Sequence, residues 1–159
     1  MISKTWLSAA AAVAMLAACA TAPSPVTVAQ TAAARPELST LNKLVQDAGL
    51  ADTLAAGGPY TVFAPSDAAF KAMPAKTREQ LASDKALLKS VLSYHVVPAK
   101  LAAADVKNGP AKTLQGGELA LSKAGSFVTV EDAVVTQADL AASNGVVHVI
   151  DRVLMPPKK

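Results

Sequence analysis

The feature that most constrains the fold is a run of branched apolar residues near the C-terminus, within residues 144–156. Asn144 and Gly145 predict a turn at its start, because both residue types tolerate a left-handed backbone. The β-branched residues that follow are typical of a strand buried on both faces. A strand of this kind has neighbours on either side, so we expect residues 146–155 to form a central strand.

The end of this run shows where the domain closes. Asp151 and Arg152 interrupt the apolar residues and indicate a bulge or a bend. Pro156 ends the strand, because proline cannot donate a hydrogen bond to a neighbouring strand. The domain is therefore expected to end here, with Lys158 and Lys159 outside it.

Helical patterns dominate before residue 94 and strand patterns dominate after it. Apolar residues at helical spacing predict helices over residues 38–48, 50–56, 68–73, 77–82 and 84–93. Alternating or β-branched residues predict strands over residues 60–64, 94–97, 112–114, 118–122, 127–130 and 133–136. Helices followed by a run of strands indicate an α+β domain rather than a doubly wound sheet.

Charge and cysteine content exclude several classes of protein. The net charge is +3 over 159 residues and the lysines are scattered, which argues against a nucleic-acid partner. The only tryptophan, Trp6, lies near the N-terminus, so few aromatic side chains remain for stacking on bases. The single cysteine, Cys19, precedes the domain, which leaves no internal disulfide and no cysteine-ligated metal site.

The first 18 residues are typical of a signal peptide. Lys4 is followed by an uncharged apolar run that is shorter than the ~20 residues needed to cross a bilayer. Residues 16–19 resemble a bacterial lipobox, which implies cleavage before Cys19, lipid attachment to it, and anchoring in a membrane. By resemblance to Gram-negative sorting rules, Ala20 in the next position implies the outer membrane, facing the periplasm or the surface, in a host that has one. An ordinary signal peptide cut after residues 20–22 is the alternative.

The segment from residue 19 to residue 36 is expected to be a disordered tether. Apart from Cys19, Gln30 and Arg35 it consists of Ala, Thr, Ser, Val and Pro, and it shows no helical apolar stripe. Fully extended, its roughly 17 residues from Ala20 onward would reach about 50 Å. The folded domain is then expected over residues 37–157.

The residues that could carry chemistry do not form a catalytic set in the sequence. His95 and His148 lie far apart within apolar segments and lack metal-ligand spacing, so neutral core histidines bonded to the backbone are favoured over a metal pair. Ser66 or Asp67 is placed to cap the following helix. A nucleophilic Ser66 with Asp67 and His95 as partners is the alternative, although no nucleophile-elbow glycines surround it. We expect no enzyme, no cofactor and no metal.

Three segments, in order, resemble the signature blocks of the fasciclin domain, an extracellular adhesion module. The resemblance implies a wedge-shaped β-sandwich with N-terminal helices packed against it, and a structural role for His95. The first block spans residues 61–70, the second contains Tyr94 and His95, and the third spans residues 144–156. The residues that carry the first and third blocks are Thr61, Phe63, Pro65, Ser66, Asp67, Phe70, Asn144, Gly145, His148, Asp151 and Pro156.

Two positions match segments proposed to be adhesive in this family. Asp139 and Leu140 match the Asp-Ile position of an integrin-type motif, although residues 136–138 depart from it. A loop carboxylate that accepts backbone amides is the alternative for Asp139. Tyr94 and His95 match the other adhesive segment, for which a buried strand is the alternative.

Together these observations predict an exported, membrane-tethered and non-enzymatic protein. We expect it to mediate adhesion or contact with an unidentified protein, cell-surface or glycan partner, and to bind no nucleic acid. The alternative is a periplasmic small-ligand-binding or envelope-structure module, with an apolar molecule held between the helices and the sandwich.

Overall fold

The structure is a computed structural model that describes residues 26–157. In this part of the chain all of the helices precede all of the strands except β1, which confirms the α+β class. The helices are α1 (Val28–Ala33), α2 (Ser39–Asp47), α3 (Ala51–Ala56), α4 (Asp67–Ala72), α5 (Ala75–Ser83) and α6 (Lys85–Tyr94), with a 3-10 turn at Pro36–Leu38. The strands are β1 (Tyr60–Pro65), β2 (Val96–Val97), β3 (Gly109–Lys112), β4 (Glu118–Ala124), β5 (Phe127–Val130), β6 (Ala133–Ala142) and β7 (Gly145–Ile150).

The strands form one mixed sheet in the order β2-β1-β7-β6-β5-β4-β3. Strands β1 and β7 are parallel, and every other pair is antiparallel. Strand β5 pairs only with Ala133 and Val134 of β6, while the rest of β6 pairs with β7. The sheet therefore splays at β6, and its outer edges approach each other where the Leu114 amide donates to the Val96 carbonyl at 2.7 Å. This is the expected wedge.

Two hydrophobic cores lie on opposite faces of β1 and β7. The first core lies beneath the helices, and Val147 and Val149 of β7 belong to it. The second core lies inside the wedge, where Ile150 of β7 packs with residues of β4 and β5. Successive side chains of a strand point to opposite faces, so one strand contributes to both cores. All six residues of β7 are buried, which confirms the expected central strand.

Strand β7 ends earlier than predicted. It stops at Ile150 rather than at residue 155, and Asp151 and Arg152 form a bend. The reason is that Asp151 turns back onto β6, where its carboxylate accepts a hydrogen bond from the Val134 amide at 2.8 Å and its own amide donates to the Val134 carbonyl at 3.1 Å. Residues 153–157 continue as irregular chain, with Pro156 half-buried.

The sequence suggested that Gly145 is needed for a left-handed turn, but the structure shows a different reason. The turn is present at Ser143 and Asn144, but neither Asn144 nor Gly145 has a positive φ. Instead Gly145 lies opposite Tyr60 in the parallel pair, and a Cβ atom at Gly145 would overlap the Tyr60 carbonyl oxygen. The close approach of β1 to β7 therefore excludes any side chain at this position.

The predicted tether is wrong over its second half. Residues 28–33 form α1, which Thr27 and Gln30 begin with a reciprocal pair of side-chain to backbone hydrogen bonds. Val28 is 1% exposed and Ala32 is 7% exposed, and both belong to the first core. One buried turn with two apolar residues four apart is too short a pattern to stand out in an alanine-rich sequence. The folded domain thus begins near Thr27 rather than at residue 37.

This earlier start shortens any spacer that separates the domain from Cys19. Residues 20–26 would extend over about 25 Å at most, half of the expected reach. The proposed signal peptide, Cys19 and the first half of the tether lie outside the described residues. Within residues 26–157 no helix is long and apolar enough to cross a membrane.

Two neighbouring valines test whether α1 belongs to the domain. We expect Val28→Ala to lower the free energy of unfolding by about 2 kcal/mol, because it removes buried methyl groups and leaves a cavity. Val26→Ala is the matched control and should change stability little, since Val26 is 45% exposed. Chemical denaturation of both variants measures the difference. Equal effects of the two substitutions would contradict the assignment of α1 to the folded core.

Candidate functional site

His95 is a buried structural residue at the end of α6. It follows the last helical residue instead of lying in a strand as predicted, because its amide completes hydrogen bonds to the carbonyls of Val91 and Leu92. Its Nδ1 lies 2.7 Å from the Val91 carbonyl, so it carries the proton, and its Nε2 accepts from the Leu154 amide at 3.0 Å. Both ring nitrogens are therefore occupied, and burial lowers the pKa of His95 to about 4.

Tyr94 is also buried, so in the folded domain its side chain is not accessible to another molecule. It is the last residue of α6 rather than part of a strand, and it is 3% exposed within the second core. Its hydroxyl donates to the Glu118 carbonyl at 2.8 Å, which joins the end of α6 to the start of β4. Burial and the nearby Glu131 carboxylate raise the pKa of Tyr94. Neither Tyr94 nor His95 can thus act as an adhesive surface.

The Ser66, Asp67 and His95 triad is not assembled. Ser66 caps α4, because its Oγ accepts from the Ala69 amide at 3.3 Å, as predicted. Asp67 does not share that role, since its carboxylate accepts from the Ser39 hydroxyl at 2.7 Å and from the Thr40 amide at 2.9 Å. Burial raises the pKa of Asp67, but these hydrogen bonds outweigh burial and leave the pKa below its usual value. Asp67 thus fastens α4 to the first turn of α2.

The remaining residues of the first block also have structural positions. Thr61 and Phe63 lie in β1, and both are fully buried. Pro65 is the buried last residue of that strand, and Phe70 of α4 belongs to the first core. The block therefore forms one continuous part of the buried structural framework, from strand β1 through the Ser66 cap to helix α4.

His148 holds a surface loop against the sheet. It lies beside Phe63 across the parallel pair, and the two rings stack with centroids 5.6 Å apart. Its Nε2 lies 2.7 Å from the Leu101 carbonyl and carries the proton, while its Nδ1 accepts from the Asp139 amide at 3.2 Å. Burial lowers the pKa of His148, and the Leu101 carbonyl and the Asp139 charge offset only part of this effect.

Asp139 lies in a bulge of β6, not in the loop that the sequence suggested. The pairing of β6 with β7 shifts register between Gln137 and Leu140, and Asp139 adopts a left-handed backbone with φ 57°. Its carboxylate accepts from the Ala103 amide at 2.7 Å, which confirms the acceptor role given by the alternative reading. Asp139 is exposed and Leu140 is half-buried against the first core.

Together with Thr61, these residues fix the chain over residues 99–103, which we call the clasped loop. The Thr61 hydroxyl donates to the Ala99 carbonyl at 2.6 Å and accepts from the Leu101 amide at 2.8 Å. His148 and Asp139 bind the loop at Leu101 and Ala103 as described. A buried hydroxyl, an imidazole and a carboxylate thus satisfy backbone groups of a segment that has no helix or strand. No pattern in the sequence predicted these contacts of the loop.

Asn144 joins three elements, a role that sequence reasoning also missed. Its Nδ2 donates to the carbonyls of Leu54 at 2.5 Å and Gly57 at 2.9 Å, and its Oδ1 accepts from the Val28 amide at 2.9 Å. These bonds connect α1 and α3 to the start of β7. An asparagine side chain supplies both donors and acceptor from one amide, which a sequence pattern does not reveal.

No group of three or more His, Cys, Asp or Glu side chains within residues 26–157 is arranged to hold a metal ion. The described histidines make their hydrogen bonds to the backbone. Their surroundings are those of buried frame residues.

The Fasciclin domain family model matches residues 36–156, and the chain belongs to this family. Protein sll1483 of Synechocystis sp. is 45% identical over 136 residues, which cover 84% of this chain and 76% of that protein. The cell surface glycolipoprotein MPB83 of Mycobacterium bovis is 42% identical over 135 residues, covering 82% of this chain and 60% of that protein. The immunogenic protein MPB70 of the same species is 41% identical over 138 residues, covering 84% and 69% respectively. None of these three is named for an enzymatic activity.

A solved structure shares the fold. The FAS1 domain pair of the insect cell adhesion molecule fasciclin I superimposes with a TM-score of 0.63 at 24% identity, covering 74% of this chain and 45% of that one. At this identity the match concerns the fold alone. The chain spans less than half of the domain pair and 60% of MPB83, so it represents only part of each.

The two buried histidines predict how stability depends on pH. The folded pKa of each lies below the ordinary value of 6.5, so below pH 6.5 the unfolded chain binds more protons than the folded chain. The free energy of unfolding should therefore fall as pH decreases from 6.5 towards 4, with a slope that approaches about 1.4 kcal/mol per pH unit for His95. His148 should add a contribution of the same sign.

Urea denaturation between pH 7 and pH 5 measures this slope. In His95→Gln, which keeps a donor and an acceptor at the same position, the slope should decrease by the contribution of one histidine. A free energy of unfolding that is constant over this range would show that the histidines are not buried in their neutral form.

Proposed function

We propose that this protein is an exported, non-enzymatic contact module, anchored in the cell envelope through Cys19, that binds another protein, a cell surface or a glycan. The observation that carries the proposal is the placement of the polar side chains. His95, His148 and Asn144 are engaged in the frame, whereas Asp139 is exposed on the splayed part of the sheet.

The exposed part of β6 is suited to contact. Beyond Val134, β6 pairs with β7 alone, and residues 136–139 are exposed. An open strand edge offers unpaired backbone groups to a partner. Asp139 stands at the bulge in this edge, held by the clasped loop, so its second carboxylate oxygen is presented from a fixed backbone.

The likeness to MPB83 supports anchoring in the envelope. That protein is described as a cell surface glycolipoprotein, and Cys19 is the residue that would carry such an anchor if the lipobox resemblance holds. Two or more acyl chains give stable anchoring, whereas a single chain gives only marginal binding. The short spacer of residues 20–26 would then hold the domain within about 25 Å of the membrane surface.

The charge of Asp139 provides a test of the contact role. Asp139→Asn should leave the melting temperature unchanged, because asparagine tolerates the left-handed backbone and keeps the oxygen that accepts from Ala103. Retention of host cells, envelope proteins or polysaccharide on the immobilised protein should fall about fivefold, the scale of an exposed charge contact.

Asp47→Asn is the matched control, since Asp47 is an exposed carboxylate at the end of α2. It should retain the same material as the unmodified protein. Retention no greater than that of an unrelated immobilised protein would rule out the contact function. Unchanged retention by Asp139→Asn would show that the contact surface does not include Asp139 of β6.

The anchor is tested separately. Intact mass spectrometry of the protein purified from membranes should show a chain that begins at Cys19 and carries lipid, and Cys19→Ser should move the protein into the soluble fraction. A mature chain that begins after Cys19 and carries no lipid mass would exclude the anchor and leave the contact function untouched.

A further inference from the structure

A groove of about 580 Å³ lies where the two main signature blocks meet. One wall is formed by α4 and the start of α5, and the other by the irregular chain that follows β7. This volume is within the range of roughly 300–1,000 Å³ found for small-molecule sites. Six lining residues are apolar, namely Ala69, Ala72, Met73, Pro74, Val153 and Met155.

The parallel pairing of β1 and β7 places the groove. Strand β1 leads through Ser66 into α4, and β7 leads through Asp151 into the other wall. Because the strands are parallel, both walls leave the same edge of the sheet. The carboxyl ends of parallel strands are where ligands bind in many α/β proteins, because the chain segments diverge there and leave a crevice.

The apolar walls can accept a flexible chain. Met73 and Val153 pack on their inner sides against the first core, whereas Met155 is 43% exposed. Ala69 and Ala72 present only methyl groups, so the helix side of the groove is not filled by its own side chains. Methionine adapts its shape to irregular apolar ligands.

Arg152 gives the groove a positive charge. Its guanidinium forms no ion pair or hydrogen bond with another residue in the range 26–157, where the one ion pair joins Arg35 to Glu37. Glu131 and Asp132 line a neighbouring cavity that Arg152 also lines, yet neither carboxylate lies within 4 Å of it in an ion pair. The exposed cations Lys76 and Arg78 flank the groove residue Thr77 in α5.

We propose that this groove binds a long-chain aliphatic carboxylate of the fatty-acid type. The hydrocarbon chain lies along the methionines and alanines, and the carboxylate pairs with Arg152, whose planar fork matches two carboxylate oxygens. The unpaired charge of Arg152 beside the apolar walls favours a carboxylate ligand over a neutral hydrocarbon. The site is independent of the contact function proposed above and supports the small-ligand alternative as an additional role.

Methionine methyl groups provide a direct readout. The sequence contains four methionines, of which Met1 and Met15 precede the described residues and Met73 and Met155 line the groove. In the full chain labelled at the methionine methyl carbons, and assigned by Met→Leu replacement, dodecanoate below its micelle concentration should shift the Met73 and Met155 signals saturably. Dodecanol should bind several-fold more weakly, and butanoate should cause no saturable shift.

Two pairs of variants separate the groove from unspecific binding. Ala72→Phe should fill the groove and abolish the shifts, while Ala86→Phe, at an exposed position of α6, should not. Arg152→Gln should weaken dodecanoate binding about fivefold, whereas Lys89→Gln, an equal loss of charge on α6, should have no effect. The dispersion of the two methyl signals reports whether each variant is folded.

The results that would overturn the proposal are equally specific. Absence of saturable shifts at Met73 and Met155, or shifts that persist in folded Ala72→Phe, would exclude the groove as the site. Equal affinity for dodecanoate and dodecanol, together with unchanged binding in Arg152→Gln, would exclude recognition of a carboxylate.

Discussion

The parallel pairing of β1 with β7 is the constraint on which the rest of the structure depends. Its partners run from Tyr60 opposite Gly145 to Pro65 opposite Ile150, so two segments far apart in sequence form one wall. That wall is covered on one face by the helices and on the other by β4 and β5. Burial of both faces of the same strands explains why a domain without a disulfide among its described residues can be held by packing alone.

Buried polar residues in and beside this wall satisfy backbone groups that packing alone would leave unpaired. His95 and His148 bond to segments that turn away from regular structure, namely the chain after β7 and the clasped loop. Removing either imidazole without replacement would leave buried donors and acceptors without hydrogen-bond partners, which costs about 1–3 kcal/mol for each group. The two rings therefore act as connectors, and their depressed pKa values are a consequence of burial rather than a sign of catalysis.

The sequence predicted the elements whose evidence is local and failed where the decisive contact is distant. The central position of β7 follows from its β-branched residues, and the Ser66 cap follows from one side chain and its neighbours. By contrast, α1 is stabilised by burial of Val28 and by Asn144, which lies 116 residues away. The bulge at Asp139 likewise depends on His148 and on the clasped loop, so its pattern could not be read from residues 133–142 alone.

The family resemblance predicts the frame better than the partner because the residues that carry it lie mostly inside the frame. Thr61, Phe63 and His148 are buried, and Gly145 is fixed by the carbonyl of Tyr60. The two proposed binding surfaces lie outside the buried core: the exposed part of β6 and the groove beyond the carboxyl ends of β1 and β7. Strand β6 pairs with β7, and the groove lies beyond the carboxyl ends of β1 and β7. A substitution that disturbs the parallel pair would therefore alter both surfaces even though it touches neither.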